Sequence, residues 1–163
     1  MEHFLLREID PTTIDKERRR VLAELRSVFA SELVHEIGST AIPGIIGKQD
    51  LDFLVLVPPG EFDRARSELD QRYRRNPKQM SNEAYQGYKV ESALDVAIQL
   101  TIKGGRYDTF LDFLDQLRES PILRAGYNRL KRSFNGRPME DYRNAKREFI
   151  ERALDSATGK GSS

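Results

Sequence analysis

The order of apolar and polar positions divides the chain into a sheet-forming first part and a helical second part. The most apolar run, residues 50–57 (DLDFLVLV), reads as a strand, and Pro58-Pro59-Gly60 stops it. Residues 94–102 alternate: Leu94, Val96, Ile98, Leu100 and Ile102 face one way, and Asp95, Ala97, Gln99 and Thr101 the other. Residues 33–37 and 85–91 read as further strands. Ahead of them, Asp10-Pro11-Thr12-Thr13 looks like a helix entry, and Ile14, Val21, Leu22, Leu25, Val28 and Phe29 recur at helical spacing. Residues 40–49 form a Gly/Pro-bearing connection, 61–73 a helix and 74–82 a polar loop. After Gly104-Gly105 three helices follow, over about 109–118, 121–134 and 139–154. Leu123, Tyr127, Leu130 and Phe134 make one apolar stripe there; Tyr142, Ala145, Phe149 and Ala153 make another. The pattern predicts an α+β domain. A mixed β-sheet flanked by helices occupies 1–105, the C-terminal helices occupy 106–155, and the Gly/Ser-rich residues 156–163 are expected to be a disordered tail.

Composition narrows the chemistry. A length of 163 residues, 38% hydrophobic and 33% charged, suits one globular domain with a real core. The 27 basic and 26 acidic residues leave a net charge of +1, which gives no strong nucleic-acid signal but allows a local basic pocket. The absence of cysteine excludes disulfides, thiolate nucleophiles and Cys-based zinc sites. With His3 and His35 the only histidines, a metal would be held mainly by carboxylates, which favours Mg2+ or Mn2+. No apolar stretch approaches the roughly 20 residues of a membrane span. The first ten residues lack a signal-peptide pattern, so no membrane association and a cytoplasmic location are expected. The basic run from Lys16 to Arg20 reads as a solvated helix face in preference to a phosphate patch.

Asp50 and Asp52 stand at positions i and i+2 of a strand, on one face and roughly 6.6 Å apart. Two carboxylates at that distance repel by about 2.5 kcal/mol at an effective dielectric near 20. A divalent cation beside them removes the repulsion, and a pair of ions about 3.5–4 Å apart could hold both oxygens of a phosphoryl displacement. Alone, the pair reads better as a wet strand end, which is common turn chemistry. Gly38-Ser39 changes that balance. A strand ending in Gly-Ser offers exposed N–H groups and a hydroxyl to a phosphate, and Gly lets the ligand approach closely. Ser39 precedes Asp50 by eleven residues, so a phosphate cradle and a metal site would lie on neighbouring strands, as a metal-bound triphosphate requires. Asp95, near the start of the next strong strand, is either a third acid, as metal ligand or general base, or an exposed strand residue.

The pattern Gly-Ser, spacer, Asp-x-Asp on a strand resembles the nucleotidyltransferase superfamily. Within it, HEIGSTAIPGIIGKQDLDFLVLV is similar to the GrpB family, whose members show an Ile-Gly-Ser-Thr-x-x-Pro-Gly signature. AGYNRLKRSFNG and DYRNAKREFIERAL resemble that family's C-terminal helices, and the likeness covers roughly residues 12–155. The resemblance implies a nucleotidyltransferase-like fold that binds a nucleoside triphosphate with magnesium and passes a nucleotidyl group to an acceptor the sequence leaves open. Gly38, Ser39 and Thr40 would then hold the triphosphate, and Asp50, Asp52 and Asp95 the metal. Lys131 and Lys146, in the family-like helices, either meet phosphate or lie on the helix surface; Tyr127 and Tyr142 could stack on a base, but their apolar stripes favour core. Many members keep one Asp near the position of Asp52, whereas this chain has the full pair; where many carry histidines on the late strand, it has Ala97 and Gln99. The rival readings are a non-catalytic nucleotide- or phosphate-ligand-binding module and a structural domain with an unused cleft. A catalyst of this kind needs three acids converging on one point, whereas a binder can lose one. The oligomeric state is left open.

Overall fold

The computed structural model describes residues 1–159. The first helix, α1 (Pro11–Arg26), starts where its capping residues direct. The Asp10 side chain accepts the Thr12 N–H at 2.9 Å, and Pro11 takes a first-turn position where its missing N–H costs nothing. Five strands follow: β1 (Val34–Ile37), β2 (Leu51–Val57), β3 (Arg74–Arg75), β4 (Tyr85–Val90) and β5 (Val96–Ile102). They form one mixed sheet in the order β1-β2-β5-β4-β3. The central pair β2/β5 is parallel and the others antiparallel. A parallel pair needs a crossover, supplied here by α2 (Phe62–Asp70) and the β3–β4 segment. The chain ends in α3 (Phe110–Glu119), α4 (Pro121–Phe134) and α5 (Met139–Gly159). The α+β expectation holds, with the differences at element ends. β3 lies inside the expected polar loop, because a two-residue edge strand carries no hydrophobic period. α5 runs beyond residue 154, so the expected tail begins inside a helix; residues 160–163 lie outside the described residues.

The two faces of the sheet are covered unequally. On the first face, Phe53, Val55 and Val57 of β2 join Tyr88, Ile98 and Leu100 against α1 and α2. On the second face the buried cluster takes only Ile37, Leu54 and Leu56 from the sheet, packed against Phe113, Leu114 and Leu117 of α3 and Tyr127 of α4. Of the rest of that face, Ala97 of β5, Lys89 of β4 and Arg74 of β3 line a cleft, whereas Thr101 of β5 and Tyr85 of β4 are buried.

The N-terminal segment packs in a way the hydrophobic pattern does not announce. Phe4 is buried, and its ring stacks on Tyr142 of α5 at 3.7 Å. Its backbone bonds to Arg137 (2.8 Å) and Gly136 (2.7 Å) in the turn before α5. This pins Glu2 and Arg143 at the rim of the cleft. Among the described residues no helix is long and apolar enough to cross a membrane.

Leu54 is fully buried at the contact between β2 and the C-terminal helices. Leu54→Ala should therefore destabilise the fold by about 2–5 kcal/mol. Urea unfolding would register this as a lower midpoint at unchanged slope; an unshifted midpoint would contradict the packing described.

Candidate functional site

The site forms where the covered and uncovered halves of the second face meet. Asp52 points to the same face as Leu54 and Leu56 and pairs in register with Ile37 on β1 and Ala97 on β5. β1 leaves the sheet directly above it. Gly38 has φ +80, and a Cβ there would lie 2.7 Å from Asp52 Oδ2, so only glycine permits this crossing. The chain then makes a short turn, Ser39–Ala41, closed by the Ala41 N–H on the Gly38 carbonyl at 3.2 Å.

Two side chains of α1 and β1 fix that turn. Arg18 donates to Glu36 Oε2 at 2.7 Å and to the Thr40 carbonyl at 3.3 Å. The Thr40 hydroxyl donates to the Asp50 carbonyl at 3.0 Å. Thr40 is thus engaged in tying the Gly-Ser turn to the start of β2. Its neighbour Ser39 has no hydrogen-bond partner for its hydroxyl among the described residues, and that oxygen borders Gly47. A Cβ at Gly47 would meet Ser39 Oγ at 2.8 Å and Lys131 Nζ at 3.1 Å. The Ser39 hydroxyl and the Lys131 ammonium thus converge beside Gly47, in a space too tight for even an added methyl group. The basic run on α1 serves the fold: Arg18, Arg19 and Arg20 all pair with nearby carboxylates.

The electrostatics of the cluster are unsettled in the isolated protein. Asp50 Oδ2 pairs with Lys48 Nζ at 3.3 Å, while Asp50 Oδ1 is buried with no hydrogen-bond partner. A buried acceptor left unpaired costs about 1–3 kcal/mol. Burial, and then the charge of Asp50, push the Asp52 carboxyl up to about 6, against the pull of Lys146, Lys48 and Lys131. Lys131 is fully enclosed. Its ammonium donates to the Ile46 carbonyl at 2.8 Å and sits 4.5 Å from the Tyr127 ring centre. Burial, and then the charge of Lys146, push it down to about 7, with Asp50 and Asp52 acting in the opposite direction. Lys146 is half-buried on α5 and forms no ion pair among the described residues. Tyr127 and Tyr142 are buried in aromatic packing, as their stripes predict.

The structure therefore brings together Gly38, Ser39, Asp50, Asp52, Lys131 and, electrostatically, Lys146. Asp95 does not join them. It lies exposed at the mouth of the same cleft, where its carbonyl accepts the Leu51 N–H at 2.9 Å. The residue in register with Asp52 on β5 is Ala97. Among the described residues no group of three or more His, Asp and Glu side chains is arranged to hold a metal ion. Sequence reasoning passed over Lys48 and Gly47, although both lie in the GKQDLD stretch that leads into β2. The cleft has a volume of about 950 Å³ and is lined by Lys48, Asp50, Asp52, Lys89 and Arg74 among others, at the upper end of the range for small-molecule sites.

Comparison with known proteins agrees with the sequence motifs. The family model described as GrpB protein matches residues 8–156. A UPF0157 protein of Vibrio cholerae serotype O1 is 32% identical over 140 residues, covering 85% of this chain and 74% of that protein. The crystal structure of a conserved protein GrpB from Enterococcus faecalis superposes with a TM-score of 0.69 at 19% identity, over 98% of this chain and 100% of that one. At that identity the likeness is one of fold.

The raised Asp52 carboxyl has a signed consequence. An unfolded chain releases this proton near the ordinary 3.8, whereas the folded chain holds it to about 6. The folded state binds more protons in that window, so the contribution to stability is full below about pH 4 and is lost as pH rises through 6. Asp52→Asn, which stays neutral, should melt higher than the wild type at pH 7.5, with the gap narrowing towards pH 4.5. Each ~1 kcal/mol relieved corresponds to roughly 2–4 °C for a chain of this size. A gap independent of pH would rule out an ionisation cost at Asp52.

Proposed function

The chain belongs to the GrpB family, and on that footing we propose that its cleft is a divalent-cation-dependent nucleoside triphosphate site serving transfer of a nucleotidyl group to an acceptor hydroxyl or phosphate. The observation that carries this reading is the carboxylate pair. Asp50 Oδ1 is buried without a partner, and Asp52 stands beside it with its charge disfavoured. Both features call for a cation at this end of the cleft.

The residues fit magnesium. That ion commonly takes one or two protein carboxylates and completes its shell with phosphate oxygens and water. Asp50 and Asp52 would hold it. When bound, it neutralises phosphate charge and orients the reacting group. The protein's own groups do the rest. Ser39 and Lys131 converge beside Gly47 and would grip a phosphate once the tight Gly47 segment moves aside to admit it. A phosphate in that place would hold Lys131 in its charged form and compensate its burial. Lys146 and Lys48 add positive charge around the carboxylates. In the transfer itself, the acceptor oxygen bonds to the α-phosphorus as the bond to the α–β bridging oxygen breaks. Diphosphate leaves with that electron pair, and the acceptor proton passes to water at the open mouth. Such a reaction asks mainly for positioning and charge stabilisation, which the cluster supplies.

A second reading, a site that binds the nucleotide without transferring it, is favoured by one observation. Ala97 stands beside Asp52 where a third acid would complete the set, and Asp95 remains at the mouth.

Calorimetric titration with the common nucleoside triphosphates, with and without magnesium, tests the proposal. The wild type should bind at least one of them only with the metal, and Asp50→Asn/Asp52→Asn should weaken binding more than about tenfold, equivalent to about 1.4 kcal/mol. Absence of binding, or equal binding by the double variant, overturns the metal–nucleotide site. Diphosphate release in the presence of hydroxyl acceptors then separates transfer from binding.

A further inference from the structure

One cross-strand row runs from the carboxylate site to the far edge of the sheet. Asp52 on β2 pairs with Ala97 on β5, Ala97 with Lys89 on β4, and Lys89 with Arg74 on β3. Residues in one row share a face, and strands lie about 4.8 Å apart. Lys89 and Arg74 therefore stand on the open face roughly 10 and 14 Å from Asp52, with only the small Ala97 between.

Their pairing is unfavourable as it stands. Like charges directly opposite each other on neighbouring strands repel. Among the described residues neither Lys89 nor Arg74 has an ion pair or a side-chain hydrogen bond. The adjacent Arg75, on the other face, shows the contrast: its guanidinium bonds both oxygens of Asp70, each at 2.8 Å. Glu91 and Asp95 also line the cleft, yet neither comes within ion-pair distance of Lys89 or Arg74. Two unmatched cations thus face a cleft that holds the Asp50–Asp52 carboxylate pair at its other end.

We propose that Lys89 and Arg74 form a phosphate subsite, and that the second reactant of the cleft is a small phosphorylated molecule whose phosphate docks there. Its identity as acceptor rests on the nucleotidyl-transfer reading; the subsite itself does not. A phosphate monoester dianion matches the two positive charges and removes their repulsion. The molecule lies over Ala97 and presents its acceptor group to the Asp50–Asp52 end. A nucleic acid is the poorer fit. Its binding draws on many phosphate contacts, whereas the chain carries 27 basic residues against 26 acidic ones and this row offers two free cations.

The test is an NMR titration of the isotopically labelled full chain with inorganic phosphate, ribose 5-phosphate and a short single-stranded oligonucleotide, without nucleotide or metal. Phosphate and ribose 5-phosphate should shift the amides of β3 and β4 saturably. Lys89→Gln/Arg74→Gln, both exposed positions, should lose these shifts, with affinity falling at least tenfold. Asp50→Asn/Asp52→Asn should keep them. Binding of magnesium–nucleotide to Lys89→Gln/Arg74→Gln should equal that of the wild type, so this subsite and the carboxylate site stand or fall separately. Absence of shifts on β3 and β4, or equal shifts in the Lys89/Arg74 variant, overturns the subsite. Tighter binding of the oligonucleotide than of ribose 5-phosphate overturns the small-molecule assignment.

Discussion

The architecture of the cleft depends on one constraint: a carboxylate, Asp52, occupies a strand face whose next two positions, Leu54 and Leu56, are core. An ionised group at the edge of a hydrophobic layer is disfavoured unless charge or hydrogen bonds meet it. The surrounding chain is shaped around that requirement. Gly38 lets β1 pass above the carboxylate without a side chain, Lys48 precedes the strand, and Lys131 reaches in from α4. These partners offset the cost only in part, since the carboxyl still titrates near 6 and Asp50 Oδ1 has no partner. A cluster tuned for stability alone would have closed those two gaps.

The C-terminal helices matter to this cluster as much as the sheet does. α3 and α4 bury the half of the second face that carries Ile37, Leu54 and Leu56 and stop at Asp52. Lys131 and Tyr127, one turn apart on α4, then divide the work: the ring is core and also the surface on which the ammonium rests. The aromatic face and the backbone carbonyl reduce the cost of burying that cation without removing it, since burial still pushes the ammonium down to about 7. The family-like helical motif thus joins packing to electrostatics through one pair of residues.

Much of this was legible in the residues. The strand around Asp50 and Asp52, the Gly-Ser turn, the alternation on β5 and the three late helices all follow from periodicities that local structure obeys. Tyr127 and Tyr142 read as core for the same reason. Three features were not legible, each for a physical cause. Asp95 stands just before β5, exposed at the cleft mouth, and position along a sequence does not reveal how far a carboxylate stands from its neighbours in space. Arg74 and Lys89 come together through strand pairing, a non-local relation, and β3 is too short to carry a pattern. Phe4 is an isolated aromatic whose burial against Tyr142 arises from a contact across most of the chain.

Register, then, is what converts this sequence into a site. A slip of one residue between β2 and β5 would turn Asp52 towards the first core and Phe53 towards solvent, so the apolar faces on both sides fix the alignment. The same alignment sets Ala97 beside Asp52 and carries Lys89 and Arg74 to the open end of that row. The hydrophobic demand of the first face thereby determines the polar order of the second: acid, small floor, base, base. The cleft's charge pattern is a consequence of core packing on the opposite side of the sheet. Substitutions in that distant core that loosen the register should therefore reach the cleft before they unfold the chain.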